Sequence, residues 1–348
     1  MPKIILTTGG TGGHIFPALA VAEALKARGD DILFIGATYG PEAELCARAD
    51  VRFIGLPGRG MLGRGLRAIP AAFDLGAAFF LALRQVRRFR PCAVAAFGGY
   101  ASFAPALAAV SLRIPLLVHE QNAIAGASNR FLGRFAATVC ASAPQTAGFG
   151  QDPVLTGNPV RMAIARTVPK PHAGLNLLVL GGSQGAHALN QAVVAMLPTL
   201  LRAGVNIRHQ TGKRDFAAVQ DAYLANGQDA QAVLPFVDDM AEAYAWADLA
   251  LCRAGASTLA ELCIAGLPAL LVPFPAAIHD HQTLNARVAA QAGAAILLPE
   301  PQLGECCDLI LDLAANRRKL AAMAANALKL AKPEAARHVA EEIGKLCQ

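Results

Sequence analysis

KIILTTGGTGGH, residues 3–14, runs a short apolar segment straight into a glycine turn that ends on a histidine. LNLLVLGGSQG, residues 175–185, repeats the arrangement half a chain later. Each reads as a buried strand, a glycine turn and the start of a helix. In an open parallel α/β sheet such a turn lies at the carboxyl edge of the strands, where backbone N–H groups and the next helix N-terminus face an incoming anion. Two such loops predict two domains with a ligand cleft between them.

The rest of the chain fits that plan. Apolar runs near residues 3–8, 31–36, 51–55, 92–97, 115–118 and 136–140 alternate with helical patterns, the signature of a mostly parallel sheet covered on both faces. Residues 149–159 are rich in Gly, Pro and Asp, and 168–174 read as a linker. A second series of strands follows near 175–180, 205–210, 231–235, 248–251, 269–272 and 294–297. The fold class expected is therefore α/β, with two doubly wound, Rossmann-like parallel sheets. Residues 334–346 follow Pro333 as a last helix that can cross back onto the first domain. Residues 91–112 carry no charge, but Gly98-Gly99 and Pro105 interrupt them, so a strand, turn and helix are expected there rather than a membrane span.

With 348 residues, 54% hydrophobic and 16% charged, the chain exceeds the usual size of a single core and is not disordered. Its net charge of +6 divides into +9 over residues 1–170 and −3 over 171–348, which points to an anionic partner for the first half, a membrane surface or a nucleic acid. No recognised nucleic-acid motif supports the second option. The eight cysteines (46, 92, 140, 252, 263, 306, 307 and 347) show no CxxC spacing and read as reduced core residues of a cytosolic protein.

Neither glycine loop is a dinucleotide fingerprint. The third glycine position of the first is Ile15, the second strand ends without an acidic residue, and no Walker lysine follows either loop. His14 stands where the loop becomes a helix, and an imidazole there suits proton removal from an attacking hydroxyl. A histidine bonded to nearby backbone is the plainer reading. Gly98-Gly99-Tyr100-Ala101-Ser102 and His119-Glu120-Gln121-Asn122 end later strands at the same sheet edge, so three turns converge; Glu120 is the alternative proton acceptor, and helix capping explains the same groups equally well. In the second half, Ser257 and Thr258 suit phosphate contact and Glu261 suits a pair of sugar hydroxyls, although Thr258 and Glu261 also spell a capping box. His279 and His281 flank Asp280 without a third matched metal ligand, and no Asp-x-Asp triplet is present. No metal or cofactor is expected. A departing diphosphate must then be met by helix N-termini and by basic or hydroxyl side chains. Residues 58–90 place Arg59, Arg64, Arg67, Arg84, Arg87, Arg88 and Arg90 around Phe73, Leu75, Phe79, Phe80 and Leu81, a pattern suited to shallow docking on anionic lipid or to an ordinary packed helix with a solvated end.

Several segments together resemble the MurG family, bacterial peripheral membrane N-acetylglucosaminyltransferases that complete lipid II for peptidoglycan. They are GGTGGHIFPALAVA (9–22), FGGYAS (97–102), HEQNAIAGASNR (119–130), TGNPVR (156–161), LGGSQGAHALN (180–190), FVDDMAEAYAWADL (236–249), CRAGASTLAEL (252–262), GLPALLVPFP (266–275) and DHQTLNA (280–286). The resemblance implies a GT-B fold with an interdomain cleft. Its first domain, 1–162, would take the acceptor and dock on the membrane with helix 334–348 packed back; its second, 163–333, would bind UDP-GlcNAc.

By matched position the resemblance assigns donor contacts to Arg161, Ser183, Val237, Ala256, Ser257, Thr258, Leu259, Ala260, Glu261 and Gln282, joined by Thr11, Gly12, Gly13 and Asn122. Glu261 would hold the ribose hydroxyls, and Ser183 with Gln282 would sit near the diphosphate and sugar. His14 would assist the acceptor hydroxyl, with Tyr100, Glu120 and Asn129 on the acceptor side. The implied reaction is an inverting, metal-free transfer of GlcNAc to the C4 hydroxyl of MurNAc in lipid I at the cytoplasmic face of the inner membrane. The chain has His281-Gln282 where members can carry two glutamines, and its docking patch lacks tryptophan. Another GT-B transferase, acting for instance on diacylglycerol, and a nucleotide-sugar-binding or membrane-docking subunit that needs a catalytic partner are the competing readings.

Overall fold

The computed structural model of the chain describes residues 1–57, 68–144, 146–182, 184–277 and 280–348, except 166–173, and for 68–73 and 165 the backbone only. Arg59, Arg64, Arg67, Ser183, His279 and most of the linker lie outside the described residues, as does the side chain of Phe73. The chain divides into two compact units, Met1–Met162 with Lys332–Gln348, and Ala163–Ala331.

In the first unit, β1 (Lys3–Thr7), β2 (Asp31–Ala37), β3 (Arg52–Leu56), β4 (Ala93–Ala96), β5 (Leu116–Glu120), β6 (Thr138–Ala141) and β7 (Val154–Leu155) form one sheet in the order β3-β2-β1-β4-β5-β6-β7. Every pairing is parallel. Parallel strands must be covered on both faces, which is why they read as unbroken apolar runs. Successive residues of β1 point to opposite sides. Ile4 and Leu6 join one buried cluster with the helix Gly12–Ala27, while Ile5 joins another with Val86 of the helix Ala68–Phe89 and with the helix Phe103–Ser111. The last helix, Ala335–Lys345, lays Val339, Ala340 and Ile343 into the first of these clusters. Residues 91–112 are a strand, a 3-10 turn at Tyr100–Ser102 and a helix, as the interrupted pattern requires.

The cysteine expectation needs a correction. Cys92 and Cys347 are joined in a disulfide across 255 residues, because the returning helix ends beside the start of β4; the other six are free thiols. Spacing in the sequence cannot reveal such a pair. Burial raises the Cys46, Cys140, Cys252 and Cys306 thiols to about 12, so these four are inert packing residues.

The second unit repeats the plan. Strands β8 (Leu175–Leu180), β9 (Val205–Gln210), β10 (Val233–Leu234), β11 (Leu249–Cys252), β12 (Ala269–Leu271) and β13 (Ala295–Leu297) lie in the order β10-β9-β8-β11-β12-β13, again all parallel. In both sheets the order reverses next to the first strand, between β1 and β4 and between β8 and β11. Such a switch point opens a crevice outside the strand ends, and both glycine loops sit there.

Candidate active site

In the first unit three strand-end loops meet above the β1/β4 switch point. The Gly9 amide donates to the Gly98 carbonyl at 3.2 Å, and the Thr8 hydroxyl reaches the same oxygen at 3.2 Å. Gly99 has φ +79° and lies so close to Gly9 that a Cβ there would stand 1.7 Å from the Gly9 oxygen. Only glycine satisfies both the dihedral and the contact. A Cβ on Gly98 would come 3.3 Å from the His14 ring, so that glycine makes room for the imidazole. Glu42, fully buried at the start of the helix Glu42–Arg48, accepts from the Gly10 amide at 3.3 Å and anchors the loop from the other side.

His14 is the third residue of its helix and half-buried; Thr11 caps that helix by backbone alone. The His14 ring bonds a side chain: Nδ1 lies 2.9 Å from Gln121 Oε1. The Gln121 amide nitrogen donates to the Phe97 carbonyl at 3.1 Å and meets His119 Nδ1 at 3.1 Å, and His119 Nε2 lies 3.0 Å from the Gly157 carbonyl. His119 is fully buried, and burial lowers its pKa to about 4, leaving a neutral ring. Thr11, Gly12 and Gly13 are wholly or partly exposed around this centre, and Tyr100, 37% exposed, stands with its ring beside Gly10.

Two acceptor-side expectations fall on buried residues. Glu120 is buried and takes up four donors: the Asn122 amide (3.0 Å) and side chain (3.1 Å), the Gly126 amide (3.1 Å) and Asn129 Nδ2 (2.9 Å). A carboxylate so engaged organises the loop after β5. Asn129 is 2% exposed and ties the His119 carbonyl to Glu120. Asn122 stays half-buried beside Glu120, and Arg161 stacks its guanidinium over Phe16, 4.7 Å from the ring centre.

In the second unit the helix Ala256–Ala265 starts directly after β11, with Gly255 as its N-cap and no side-chain cap. The alternative reading of Thr258 and Glu261 as a capping box does not hold, because Thr258 already lies inside the first turn. Ala256, Ser257 and Thr258 form the first turn of that helix, at its positive end. Leu259 and Ala260 follow half-buried, and Glu261 is 8% exposed, with the Tyr244 hydroxyl donating to its Oε2 at 2.8 Å. Arg253, just before the helix, donates to the Val272 and Pro273 carbonyls and pairs with Glu300, which fixes the adjoining loop. Gln282, at the start of the helix His281–Gln291, accepts from the Phe274 amide at 2.9 Å. Val237 lines a small recess with Gln210 and Glu242, and Gln210 in turn holds the Gly182 carbonyl of the glycine loop at 3.0 Å.

Sequence reasoning missed Tyr244 and gave His119 and Gln121 no role of their own. A buried tyrosine inside FVDDMAEAYAWADL needs a partner for its hydroxyl, a signal that could have singled it out.

Two family models cover the chain: the glycosyltransferase family 28 N-terminal domain over residues 4–141 and its C-terminal domain over 176–340. The UDP-N-acetylglucosamine–N-acetylmuramyl-(pentapeptide) pyrophosphoryl-undecaprenol N-acetylglucosamine transferase of Nitratidesulfovibrio vulgaris is 49% identical over 357 residues, 99% of this chain and 98% of the relative. The protein of the same name from Solidesulfovibrio magneticus is 48% identical over 99% of this chain and 97% of its own. Among solved structures, Acinetobacter baumannii MurG superposes with a TM-score of 0.80 at 36% identity, covering 99% of this chain and all of that one.

Proposed function

Since this chain belongs to the MurG family within glycosyltransferase family 28, we propose that it transfers N-acetylglucosamine from UDP-GlcNAc to lipid I, forming lipid II for peptidoglycan. The observation that carries this reading is the end-to-end identity of 49% with a transferase of that name.

The chemistry is an inverting single displacement. The C4 hydroxyl of the MurNAc unit attacks C1 of the donor sugar, the bond from C1 to the diphosphate oxygen breaks, and UDP departs. A sugar hydroxyl is a weak nucleophile, and His14, set among exposed loop residues at the β1/β4 edge, takes its proton. Thr11, Gly12 and Gly13 line that approach, Tyr100 borders it, and Asn122 stands beside it on the ordered β5 loop. Glu120 and Asn129 hold the loop in shape.

UDP-GlcNAc is held mainly by the second unit. Glu261 accepts the ribose hydroxyls, its carboxylate fixed by Tyr244. The positive end of the helix Ala256–Ala265, with Ser183, meets the diphosphate charge, so no divalent cation is required. Gln282 and Val237 complete the sugar and base contacts, with Leu259 and Ala260 packing along the same helix.

Among the described residues no helix is long and apolar enough to cross a membrane. The chain acts at the cytoplasmic face of the inner membrane in this reading, and the helix Ala68–Phe89 supports its peripheral binding. It exposes Phe80, 69% accessible, with Leu81, Arg84, Arg87 and Arg88 exposed along it. Phe103, Phe131 and Phe135 form a second aromatic row, with adjacent ring centres 5.4 Å apart and the last two rings exposed.

An acceptor panel tests the assignment. With UDP-GlcNAc as donor, a lipid I analogue is expected to be glycosylated and diacylglycerol left untouched. Preferential transfer to diacylglycerol would replace this reading with that of a glycolipid synthase.

A further inference from the structure

We propose that Gln121 is a positioning residue that holds His14 in the tautomer with the proton on Nδ1 and the lone pair on Nε2. The functional half of this inference rests on the transferase reading; the tautomer does not.

The direction of each hydrogen bond follows from groups that allow only one. The Phe97 carbonyl is an acceptor and lies 3.1 Å from one end of the Gln121 amide; the His119 carbonyl lies 3.4 Å from the same end. Two carbonyls can only face the NH2 end, so the amide oxygen must be the end turned to His14. That oxygen cannot donate. His14 Nδ1, 2.9 Å away, therefore carries the hydrogen, and a neutral ring leaves Nε2 bare.

A second, independent line reaches the same orientation. The Gly157 carbonyl forces His119 Nε2 to be the donor at 3.0 Å, so in the neutral ring Nδ1 is an acceptor, and it faces the amide nitrogen of Gln121 at 3.1 Å. The neutral state of His119 follows from its complete burial against Phe97, whose ring centre is 5.5 Å away. Gln121 itself is 3% exposed, so water does not compete for these positions.

The consequence for transfer is direct. When the acceptor hydroxyl gives its proton to Nε2, the resulting imidazolium keeps its Nδ1–H on Gln121, and no ring flip or tautomer exchange precedes the step. Gln121 and His119 touch neither substrate in this scheme; they act through His14.

The test is a two-bond 15N–1H correlation spectrum of the full chain labelled at its histidine rings, with His14 assigned by the signal lost in His14→Gln. His14 in its neutral form is expected to show a protonated Nδ1 and an unprotonated Nε2. A protonated Nε2 overturns the proposal whatever the activity. In Gln121→Leu the His14 signals should move toward the other tautomer, and kcat should fall roughly ten- to a hundredfold with the KM for UDP-GlcNAc unchanged. Retention of both the wild-type tautomer and kcat in a folded Gln121→Leu protein also refutes it. Should the wild-type tautomer be as stated while no GlcNAc transfer occurs, the transferase reading fails and the tautomer assignment stands.

Discussion

Replacing Tyr244 by Phe removes a single hydroxyl from the second unit and separates the structural from the binding role of Glu261. Tyr244 is 2% exposed and Glu261 8%, with 2.8 Å between the phenol oxygen and the carboxylate. Because the acceptor is charged, such a bond contributes about 1.5–3 kcal/mol, and its loss leaves a buried carboxylate with one donor fewer. For a unit the size of Ala163–Ala331, about 2 kcal/mol corresponds to a fall in Tm of roughly 4–8 °C. Without the phenol, the carboxylate loses one of its restraints and matches two vicinal hydroxyls less well. The KM for UDP-GlcNAc should then rise about tenfold, equivalent to about 1.4 kcal/mol, with kcat little changed. Glu261→Gln reverses the balance: it can still accept from Tyr244 but loses its charge, so Tm should fall less and KM rise more. Differential scanning calorimetry and initial-rate kinetics read both quantities. A Tm loss in Tyr244→Phe with the donor KM unmoved in both variants would refute the ribose role and leave Glu261 as packing.

His14→Ala should lower kcat about 100-fold or more while leaving the donor KM within a few fold, measured by steady-state kinetics at saturating acceptor; loss of donor binding with turnover intact would contradict its role as base. Burial lowers His119 to about 4 and His209 to about 3 in the folded protein, against 6.5 for an ordinary histidine. Between those values the unfolded state binds the extra protons, so stability rises with pH and is lost as pH falls below about 6.5. Each unit should thus lose about 2 kcal/mol between pH 6.5 and 5 in urea titrations, and a flat profile across that range would contradict the burial argument. Substituting Arg84, Arg87 and Arg88 together by Gln should weaken sedimentation with anionic vesicles by about 3 kcal/mol at low salt, with neutral vesicles unaffected; unchanged binding would remove this helix from the docking surface.

The strands and the two glycine loops were legible because parallel strands buried on both faces leave unbroken apolar runs, and because a loop crossing close to another backbone needs glycine. Gly99 against Gly9 is the case in point. Side-chain pairing was not legible. His14 meets Gln121 from 107 residues away and Cys92 meets Cys347 from 255, distances over which no local periodicity carries information. Burial adds what residue type leaves open. Glu120 and Asn129 have the chemistry of site residues, and four donors on one and a 2% exposure of the other also tie them into the loop after β5. The Thr258–Glu261 spacing fitted a capping box, but the helix begins two residues before Thr258 and Glu261 turns to Tyr244 instead.

The most direct test incubates the purified chain with UDP-GlcNAc labelled in the sugar and a lipid I analogue, in the presence of EDTA, and identifies the products by mass and by the anomeric coupling of the new linkage. A β-linked disaccharide and an equal amount of UDP are expected. Free labelled sugar, an α-linkage, or no transfer without added metal would contradict the proposed reaction.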